Sequence, residues 1–579
     1  TVRPIHPDPN IKLRFNWNAA IHIDPFDNNT IYFGSQFVHK STDKTVTWEL
    51  ISEDLTTNDP EKQKQNESGG ITMDATGAEN HTTILVIEPS PMEQNMLWVG
   101  TDDGKVHYTQ NSGTSWIEVT KNIPKLPKGS WITQIKASNK QRGEALLVAN
   151  DYRRFNFTPY VYRTTNYGKT WNRIVDENDV LSYALCIVED PEEKNLLFLG
   201  TDDGLYISMD AGIKWEKWGH DFPTVSVKDL VIQERENDLV IGTFGRAAWV
   251  LDDITPLRVM ANNNEVLSSK IKLFKAPTAY IANYQQPTGS RFGADAIFNG
   301  DNKEYGARIM FYFTKNETET EDSTTVKWDS LQLQLFDGDR LIRTLKQKAP
   351  KDDGFHTWRW NMDEKGVKRP SKKLSKSKRE SSGVQVLPGT YRAVISYGDQ
   401  NSETSIEVQN DPRIQQNATA IQAVYETSKA FEHLQEVTAN AVQQLVESKN
   451  IVSEFSDKLS EKDEKLNKDA LKNCKEITKK IDTLLALYFG KNDTRQGITS
   501  DPVVSVTERI GTALYYISTR QNGITDTEQI LIKQAKTAIE GALKATNDFF
   551  ENEWITFKSE METIDLSPFK SHKTFELKN

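Results

Sequence analysis

The feature that most constrains the fold is an eight-residue pattern that occurs four times within the first 215 residues. It reads Ser or Thr, any residue, Asp or Asn, any residue, Gly, two further residues and Trp, and its copies begin at Ser41, Thr109, Thr164 and Ser208. In a tight turn, the Asp or Asn side chain accepts hydrogen bonds from backbone N–H groups and Gly supplies a positive φ. The first copy has Thr45 in place of Gly. Because a β-branched residue is strained at positive φ, we expect an altered turn there.

A second phrase recurs between these turns. Residues 97–104 read LWVGTDDG, residues 197–204 read LFLGTDDG, and a degenerate copy begins at Leu239. An apolar run precedes each copy, so each unit reads as four short antiparallel strands, which is the pattern of a β-propeller blade. We count five such units, which begin near Phe15, Thr82, Trp131, Tyr183 and Val225.

Five blades lie within the usual range of ~4–8, but the sequence contains no evident strand that would complete a last blade. An open ring would expose an apolar sheet edge, which favours aggregation. We therefore expect that an amino-terminal propeller segment or a second polypeptide completes the ring.

The residues of the eight-residue pattern are predicted to be structural. Each Trp is placed to fold back and bury its ring between neighbouring sheets, and the turns belong at the outer rim, away from the axis where propellers bind ligands. The predicted structural residues are Asp43, Trp48, Asn111, Gly113, Trp116, Asn166, Gly168, Trp171, Asp210, Gly212 and Trp215.

The chain changes character twice, which predicts three domains. Nine of the 13 Trp residues precede residue 255, and Trp554 alone lies within the last 169 residues. We predict propeller blades over 1–256, an immunoglobulin- or fibronectin-like β-sandwich over 257–410, and a helical bundle over 411–579. The fold class is therefore multidomain, mainly β and then α.

Composition excludes several classes of function. No apolar run approaches the ~18–20 residues that span a bilayer, and a net charge of −11 argues against a general nucleic-acid binder. The two cysteines, Cys186 and Cys474, are far apart in the sequence, which excludes a disulfide framework. His81 has no Cys, His or carboxylate at ligand spacing, so we predict no metal and no cofactor.

The hairpins resemble the Asp-box (BNR) repeats of sialidase-like and sortilin/VPS10-like propellers. Residues 14–18 (RFNWN), 32–36 (YFGSQ), 79–83 (ENHTT) and 241–253 (IGTFGRAAWVLDD) resemble large secreted bacterial proteins labelled VPS10/sortilin-like or glycosyl hydrolase. The resemblance continues through 387–392 and 411–413 and covers essentially the whole chain. It implies an extracellular, outer-membrane-surface or periplasmic location and a further amino-terminal propeller portion. It implies little chemistry, because the hydrolase label rests on the repeat.

A ligand site is predicted at the channel mouth, where the innermost strand of each blade begins. Aromatic rings stack on sugars or peptides while amides and hydroxyls fix their orientation, although such rings also fill gaps between blades. The candidate binding residues are Arg14, Asn16, Trp17, Asn18, His81, Trp131, Tyr183 and Arg246.

Two further groups of charged residues have alternative interpretations. The acidic pairs are residues 102–103, 202–203 and 252–253. Glycosidases use two carboxylates ~5–10 Å apart, but adjacent residues of a strand point to opposite faces, so we interpret these pairs as turn residues. The basic insertion 364–383 is either a solvated loop or a surface for an anionic glycan or acidic partner.

The predicted function is non-catalytic recognition of a peptide, protein or glycan within a larger envelope assembly. The alternative is a glycoside hydrolase of the sialidase-like or xyloglucanase-like propeller type, and the third possibility is a structural scaffold.

Overall fold

The computed structural model describes ten segments of the chain: residues 2–65, 67, 78–282, 302–315, 330–374, 379–463, 467–491, 496–497, 503–520 and 523–564. The chain forms two compact units, Thr1–Ser269 and Lys270–Asn579.

Within its described residues, the first unit contains five antiparallel sheets and one α-helix. The first three sheets consist of β1 (Ile21–Ile23), β2 (Ile31–Gly34), β3 (Val38–Ser41) and β4 (Glu49–Leu50); β5 (Ile84–Pro89), β6 (Leu97–Thr101), β7 (Val106–Thr109) and β8 (Ile117–Glu118); and β9 (Trp131–Ala137), β10 (Ala145–Asp151), β11 (Asn156–Thr164) and β12 (Asn172–Arg173). The last two consist of β13 (Ala184–Glu189), β14 (Leu197–Thr201), β15 (Leu205–Ser208) and β16 (Glu216–Lys217), and of β17 (Val227–Gln233), β18 (Asp238–Thr243) and β19 (Ala248–Leu251); helix α1 (Thr255–Asn262) follows.

The five sheets are the predicted propeller blades, and their innermost strands are neighbours. Strands β1, β5, β9, β13 and β17 contact one another in this order and line a common cavity of about 690 Å³. Because neighbouring strands are antiparallel, the start of each innermost strand lies at the same end of the sheet as the loop between its second and third strands. We call this end the entry face.

The Asp-box turns share one hydrogen-bond pattern. In the second copy, the Asn111 Oδ1 accepts a hydrogen bond from the backbone N–H of Ser115 (3.0 Å), and the Thr109 hydroxyl accepts one from the N–H of Gly113 (3.0 Å). The first copy has the same bonds, because the N–H of Thr45 donates to the Ser41 hydroxyl at 2.8 Å. Thr45 adopts φ 76°. The expectation of an altered turn was therefore wrong: the hydrogen bonds hold a β-branched residue in the left-handed region.

The Asp-box rings of Trp116, Trp171 and Trp215 contact the preceding blade, and the four Asp-box Trp rings are not equally buried. Trp171 and Trp215 are each 4% exposed, and the Trp215 Nε1–H donates to the carbonyl of Ile174 at 2.8 Å. Trp116 is half-buried and makes the corresponding bond to the carbonyl of Ile51 at 2.9 Å. Trp48 is also half-buried. These two bonds join the fourth blade to the third and the second blade to the first.

Glycines in the second strands allow neighbouring blades to pack closely. A Cβ atom on Gly100 would lie 2.5 Å from the Ile132 Cγ2 of the next blade, and one on Gly200 would lie 2.7 Å from the Val227 Cγ1 of the next blade. Such distances are too short for any larger residue. Gly242 has the corresponding position in the fifth sheet, and its nearest neighbour would be the carbonyl oxygen of Asp229 in the same sheet, at 3.5 Å.

One face of the fifth sheet is open to solvent. Val231, Val240 and Val250 are cross-strand neighbours, and Val231 and Val250 are each 55% exposed. The residues two positions before the glycine in the second and fourth sheets, Trp98 and Phe198, are fully buried. On its open face the fifth sheet therefore carries apolar side chains at positions that the following blade covers in the second and fourth sheets.

The second unit begins with a β-sandwich of two sheets and a hairpin. The three-stranded sheet contains β20 (Ile271–Leu273), β22 (Ala307–Phe313) and β25 (Gly354–Trp360). The five-stranded sheet contains β21 (Ala279–Ile281), β23 (Ser330–Asp337), β24 (Arg340–Lys348), β28 (Gly389–Tyr397) and β29 (Gln400–Asn410), and β26 (Asp363–Gly366) pairs with β27 (Ser381–Gln385). Alternate residues of β22 and β23 are buried, as expected for strands that cover a core on one face.

Helices follow the sandwich, as the 3.6-residue periodicity predicts. They are α2 (Ala418–Asp463), α3 (Lys468–Phe489), α4 (Val506–Ser518), α5 (Asp526–Asp548) and α6 (Ile555–Met561), with a π-helical turn at Phe549–Trp554. Their apolar faces form one core that includes Phe431, Leu445, Ile481 and Ile539. Within the described residues, no helix combines the length and the apolar character needed to cross a membrane.

The predicted domain boundaries, after residues 256 and 410, stay predictions. Within the predicted basic insertion, Lys376 and Lys378 lie outside the described residues.

Candidate ligand-binding site at the mouth of the propeller

Three of the predicted binding residues belong to one cluster on the entry face. The His81 and Trp131 rings are 6.0 Å apart and meet edge to face. The Arg153 guanidinium lies over the Trp131 ring, 3.3 Å from its centroid, and 4.5 Å from the centroid of Tyr152. Tyr152 in turn stacks on Tyr183, with centroids 4.6 Å apart and planes 19° apart. Arg153 and Tyr152 thus connect the innermost strands of the third and fourth blades.

Arg153 is a cation without an acceptor among the described residues, since no carboxylate or carbonyl oxygen there lies within hydrogen-bonding distance of its guanidinium. Partial burial lowers the pKa of Arg153 from its ordinary value, although the group remains charged at any physiological pH. The two ring faces satisfy the guanidinium only through cation–π contacts. Its N–H donors are therefore available to an acceptor on a ligand.

The fourth blade adds a buried phenol to the cluster. Tyr183 is 7% exposed, and burial together with a hydrogen bond to Asp202 raises its pKa above the ordinary value. Phe157 lies 6.0 Å from Tyr183 between centroids and is 53% exposed. The cluster thus continues from a buried ring to a ring that faces solvent.

A buried carboxylate lies beneath the cluster. Asp102 is fully buried and accepts hydrogen bonds from the Thr83 N–H (2.8 Å), the Thr83 hydroxyl (2.6 Å) and the Asn16 side-chain amide (3.3 Å). Burial raises the pKa of Asp102, and the nearby His81 opposes this effect. Asp102 therefore fixes the positions of Asn16 and the start of the second blade.

The neighbouring acid, Asp103, is also bound internally. One oxygen accepts a hydrogen bond from the Thr101 hydroxyl (2.5 Å), and the other accepts bonds from the N–H (2.7 Å) and hydroxyl (2.6 Å) of Thr57. Thr57 follows the first blade, so Asp103 links two blades. Both carboxylates of this pair lie in the turn after β6 and are occupied by structural bonds.

The other predicted binding residues lie outside this cluster. Arg14 forms an ion pair with Asp54 (2.7 Å) and donates to the carbonyl of Thr82 (3.1 Å). Trp17 is 70% exposed, and Asn18 and Arg246 are also exposed. Arg14 therefore serves a structural contact, whereas the other three are accessible.

The entry face also carries large exposed apolar side chains. Trp17 precedes the first blade and Leu181 the fourth, while Phe155 and Phe157 occupy the loop and strand after β10, and Phe244 follows β18. Phe155 is 88% exposed, Leu181 76% and Phe244 73%. Groups of exposed apolar residues of this kind are typical of protein or ligand contact surfaces.

The central cavity opens at the opposite end of the innermost strands and is lined by none of the eight predicted binding residues. Several of its charged groups are paired with one another or with neighbouring residues. Glu88 contacts Lys136 (3.1 Å) and His22 (3.4 Å), and Glu189 contacts Arg163 (2.8 Å). The hydrogen bond to Glu88 raises the pKa of His22.

Sequence reasoning missed Arg153, Tyr152 and Phe155. The third unit departs from the repeat at this point, since Asp151-Tyr152-Arg153-Arg154-Phe155 stands where the second and fourth units have the Gly-Thr-Asp-Asp-Gly turn. This departure from the repeat is the sequence signal that could have identified these three residues. A 3₁₀ turn over Tyr152–Arg154 turns these side chains toward the mouth, and Phe155 ends it with φ 60°. Within the described residues, no group of three His, Cys, Asp or Glu side chains could hold a metal ion.

Comparisons with known proteins extend only to the fold. No family model and no curated protein matches the chain. The solved structures that it resembles include the GH74 xyloglucanase from Xanthomonas campestris (12% identity, 52% of this chain and 42% of the other, TM-score 0.30). They also include an ancestral GH74 enzyme (13%, 70% and 48%, TM-score 0.32) and YCF48 from Cyanidioschyzon merolae (14%, 42% and 73%, TM-score 0.26). The chain thus spans less than half the length of the two GH74 enzymes, and the likeness concerns the β-propeller fold and assigns no activity.

Proposed function

We propose that this chain is part of a secreted or cell-surface propeller that binds a peptide, protein or glycan at its entry face without catalysing a reaction. The observation that carries this proposal is the Arg153 guanidinium, which is held between the Trp131 and Tyr152 rings and has no acceptor among the described residues. A fixed cation bordered by aromatic surface offers oriented hydrogen bonds and stacking area to one ligand.

The acids near the mouth support binding rather than hydrolysis. A glycosidase needs two carboxylates that reach the substrate from an open cleft. Asp102 and Asp103 are buried and use their oxygens to hold Thr83, Asn16 and Thr57. A glycoside hydrolase remains the alternative function, and it would need a carboxylate pair elsewhere on the chain or on its partner.

The binding proposal can be tested with synthetic peptide and glycan arrays probed with the whole chain. Phe155→Asn removes an exposed ring from the entry face, and Asn tolerates the positive φ of that position. Ile213→Asn is the matched control, because Ile213 is 84% exposed at an Asp-box turn on the opposite face. We expect Phe155→Asn and Arg153→Ala to lower binding at least tenfold and Ile213→Asn to leave it unchanged. Equal binding by all variants would contradict the proposal, and release of reducing sugar from the glycan array would favour the hydrolase.

We further propose that the chain belongs with the secreted VPS10/sortilin-like propeller proteins and that another propeller segment completes its ring. The support is the open face of the fifth sheet. In the second and fourth sheets, the following blade packs on the positions that correspond to Gly242 and Val240. In the fifth sheet these two residues lie on the open face, together with Val231 and Val250. We expect this face to be covered by a sheet that has a β-branched residue near the start of its innermost strand. Such a residue would pack on Gly242 as Ile132 packs on Gly100.

Hydrogen exchange tests this second proposal. In the purified chain, the backbone amides of β17–β19 should exchange faster than those of β13–β16. In the complex isolated from the natural source, where the ring would be complete, the amides of β17–β19 should become protected. Gly242→Ile should leave the purified chain folded and prevent this protection. If the amides of the fifth sheet exchanged at the same rate in the purified chain and in the isolated complex, nothing would pack on this sheet.

A further inference from the structure

The second unit contains a cavity of about 1030 Å³ that is lined by residues of strand β27, helix α2 and helix α4. Aliphatic side chains from all three elements belong to its lining, among them Val384, Val424, Leu514 and Ile517. Cavities of this size that combine apolar walls with a few polar groups are typical of sites for small molecules.

Helix α2 contributes one face to this cavity. Tyr425, Ser428, Glu432 and Gln435 follow one another at spacings of three or four residues, so they lie on the same side of the helix. The first two side chains are partly exposed, whereas Glu432 and Gln435 are buried. The cavity is therefore closed at the end where Gln435 lies.

Gln435 is the polar group of this face that has no partner. The Tyr425 hydroxyl donates a hydrogen bond to Glu364 (2.7 Å), and the Ser428 hydroxyl donates one to the carbonyl of Val424 (2.7 Å). Gln435 is 6% exposed, and its side chain has no hydrogen-bond partner within the part of the chain that the structure describes. A buried amide without a partner costs free energy. Its N–H and C=O groups are therefore available to a molecule in the cavity.

The charges of the lining are either paired or exposed. Three ion pairs involve lining residues; they are Asp411 with Arg413 (2.6 Å), Glu432 with Lys429 (2.7 Å) and Arg520 with Glu528 (2.7 Å). The remaining charged residue of the lining, Arg369, is exposed to solvent. Among the described residues, the closed end thus offers no unpaired charge to a ligand.

We propose that this cavity binds an uncharged, mainly aliphatic molecule whose carboxamide or hydroxyl group forms hydrogen bonds with Gln435. The Val, Leu and Ile side chains would remove the aliphatic part from water, and the amide of Gln435 would orient the polar end. A carboxylate or ammonium group would lose its hydration there without gaining an opposite charge. The site lies in the second unit and does not depend on the function proposed above.

A glycine in the lining allows the cavity to be filled without disturbing its other residues. Gly511 lies within helix α4, and a Cβ atom there would meet nothing within 4 Å. Gly541 of helix α5 has the same open space but does not line the cavity. Gly511→Phe and Gly541→Phe are therefore matched variants, since each places a phenyl ring at an open helical position and replaces a poor helix former.

The first test is titration of the full chain with diphenylhexatriene, a hydrocarbon that fluoresces in apolar surroundings. We expect the unmodified chain to bind it. Gly511→Phe should lower the affinity at least tenfold, because the ring would occupy the cavity, whereas Gly541→Phe should change it less than twofold. Absence of binding to the unmodified chain, or equal losses in the two variants, would overturn the proposal.

The second test identifies the polar group by displacement of diphenylhexatriene with four ten-carbon compounds: decanamide, 1-decanol, decanoate and decylammonium. Decanamide and 1-decanol should displace it at lower concentrations than the two ions. Gln435→Leu should weaken decanamide at least tenfold and leave the affinity for the hydrocarbon within twofold, a difference that a purely structural role of Gln435 would not produce. Stronger displacement by either ion, or full affinity of Gln435→Leu for decanamide, would contradict the assignment.

Discussion

The guanidinium of Arg153 lies over the ring of Trp131, 3.3 Å from the ring centroid, although Trp131 begins strand β9 and Arg153 belongs to the turn after β10. The contact orients a cation that no acceptor in the described residues holds. It also fixes the indole at the start of the innermost strand, next to His81. The mouth of the propeller is therefore preorganised before any ligand arrives, which reduces the entropy that binding would cost.

Removal of this cation should have a small effect on folding. Arg153→Ala is expected to lower the free energy of unfolding by ~0.5–1 kcal/mol, the usual value of a partly exposed cation–π contact. Urea unfolding followed by Trp fluorescence reports mainly on the first unit, because nine of the 13 Trp residues precede residue 255. The exposed Lys169 supplies the control variant Lys169→Ala. A loss above ~3 kcal/mol would mean that Arg153 is a core residue.

Alanine at the blade-interface glycines should be most destabilising where the least space is available. Gly100→Ala and Gly200→Ala should each cost ~1–3 kcal/mol, because the new methyl group would overlap the next blade. Gly242→Ala should cost less than either, because its neighbours are more distant. Thermal unfolding of the three variants gives the comparison, and an equal loss at Gly242 would mean that another segment already covers the fifth sheet.

The Asp-box Trp residues should contribute unequally to stability. Trp171→Ala and Trp215→Ala should each lower the free energy of unfolding by ~3–5 kcal/mol, as large core truncations do, because both rings are 4% exposed. Trp48→Ala should cost less, since its ring is half-buried, and Trp17→Ala should cost least at 70% exposure. Denaturant unfolding measures all four, and a large loss at Trp17 would be inconsistent with its exposed position.

Stability should fall in mild acid because two histidines are buried in the neutral form. Burial lowers the pKa of His39 and of His107 from 6.5 to about 4. Between those values the unfolded chain binds protons that the folded chain does not, so stability rises with pH across that window. Each His should contribute a loss of up to ~3 kcal/mol as the pH falls from 7 to 4. His107→Leu should reduce the slope of unfolding free energy against pH, and parallel curves for variant and wild type would refute the assignment.

Local patterns in the sequence were sufficient for the elements of the fold. The turn pattern led to the hairpins because its hydrogen bonds lie within five consecutive residues, as between Asn111 and Ser115. The spacing of Ile477 and Ile481 similarly indicated one buried face of a helix. The expectation at Thr45 failed because it considered the intrinsic cost of positive φ without the bond from its N–H to Ser41.

The candidate site was less accessible to sequence reasoning. Trp131 and Tyr183 could be placed near the mouth because they start innermost strands, but Arg153, which joins Trp131 to Tyr152, lies in an irregular loop without a repeat counterpart. Arg14 looked equally available, yet its guanidinium is paired with Asp54. The partner of a charged side chain depends on residues distant in the chain, and periodicity carries no information about it.

By itself the sequence determined the repeating strands, the turns that separate them and the amphipathic helices, because these depend on backbone preferences and on the alternation of nearby side chains. Only the tertiary structure decided which groups remain available to a ligand. Asp102 accepts three hydrogen bonds in a buried position, Arg153 is held on two rings, and Arg14 is paired with Asp54. Burial and charge pairing arise from contacts between segments far apart in the chain, so they are settled only when the sheets and helices pack together.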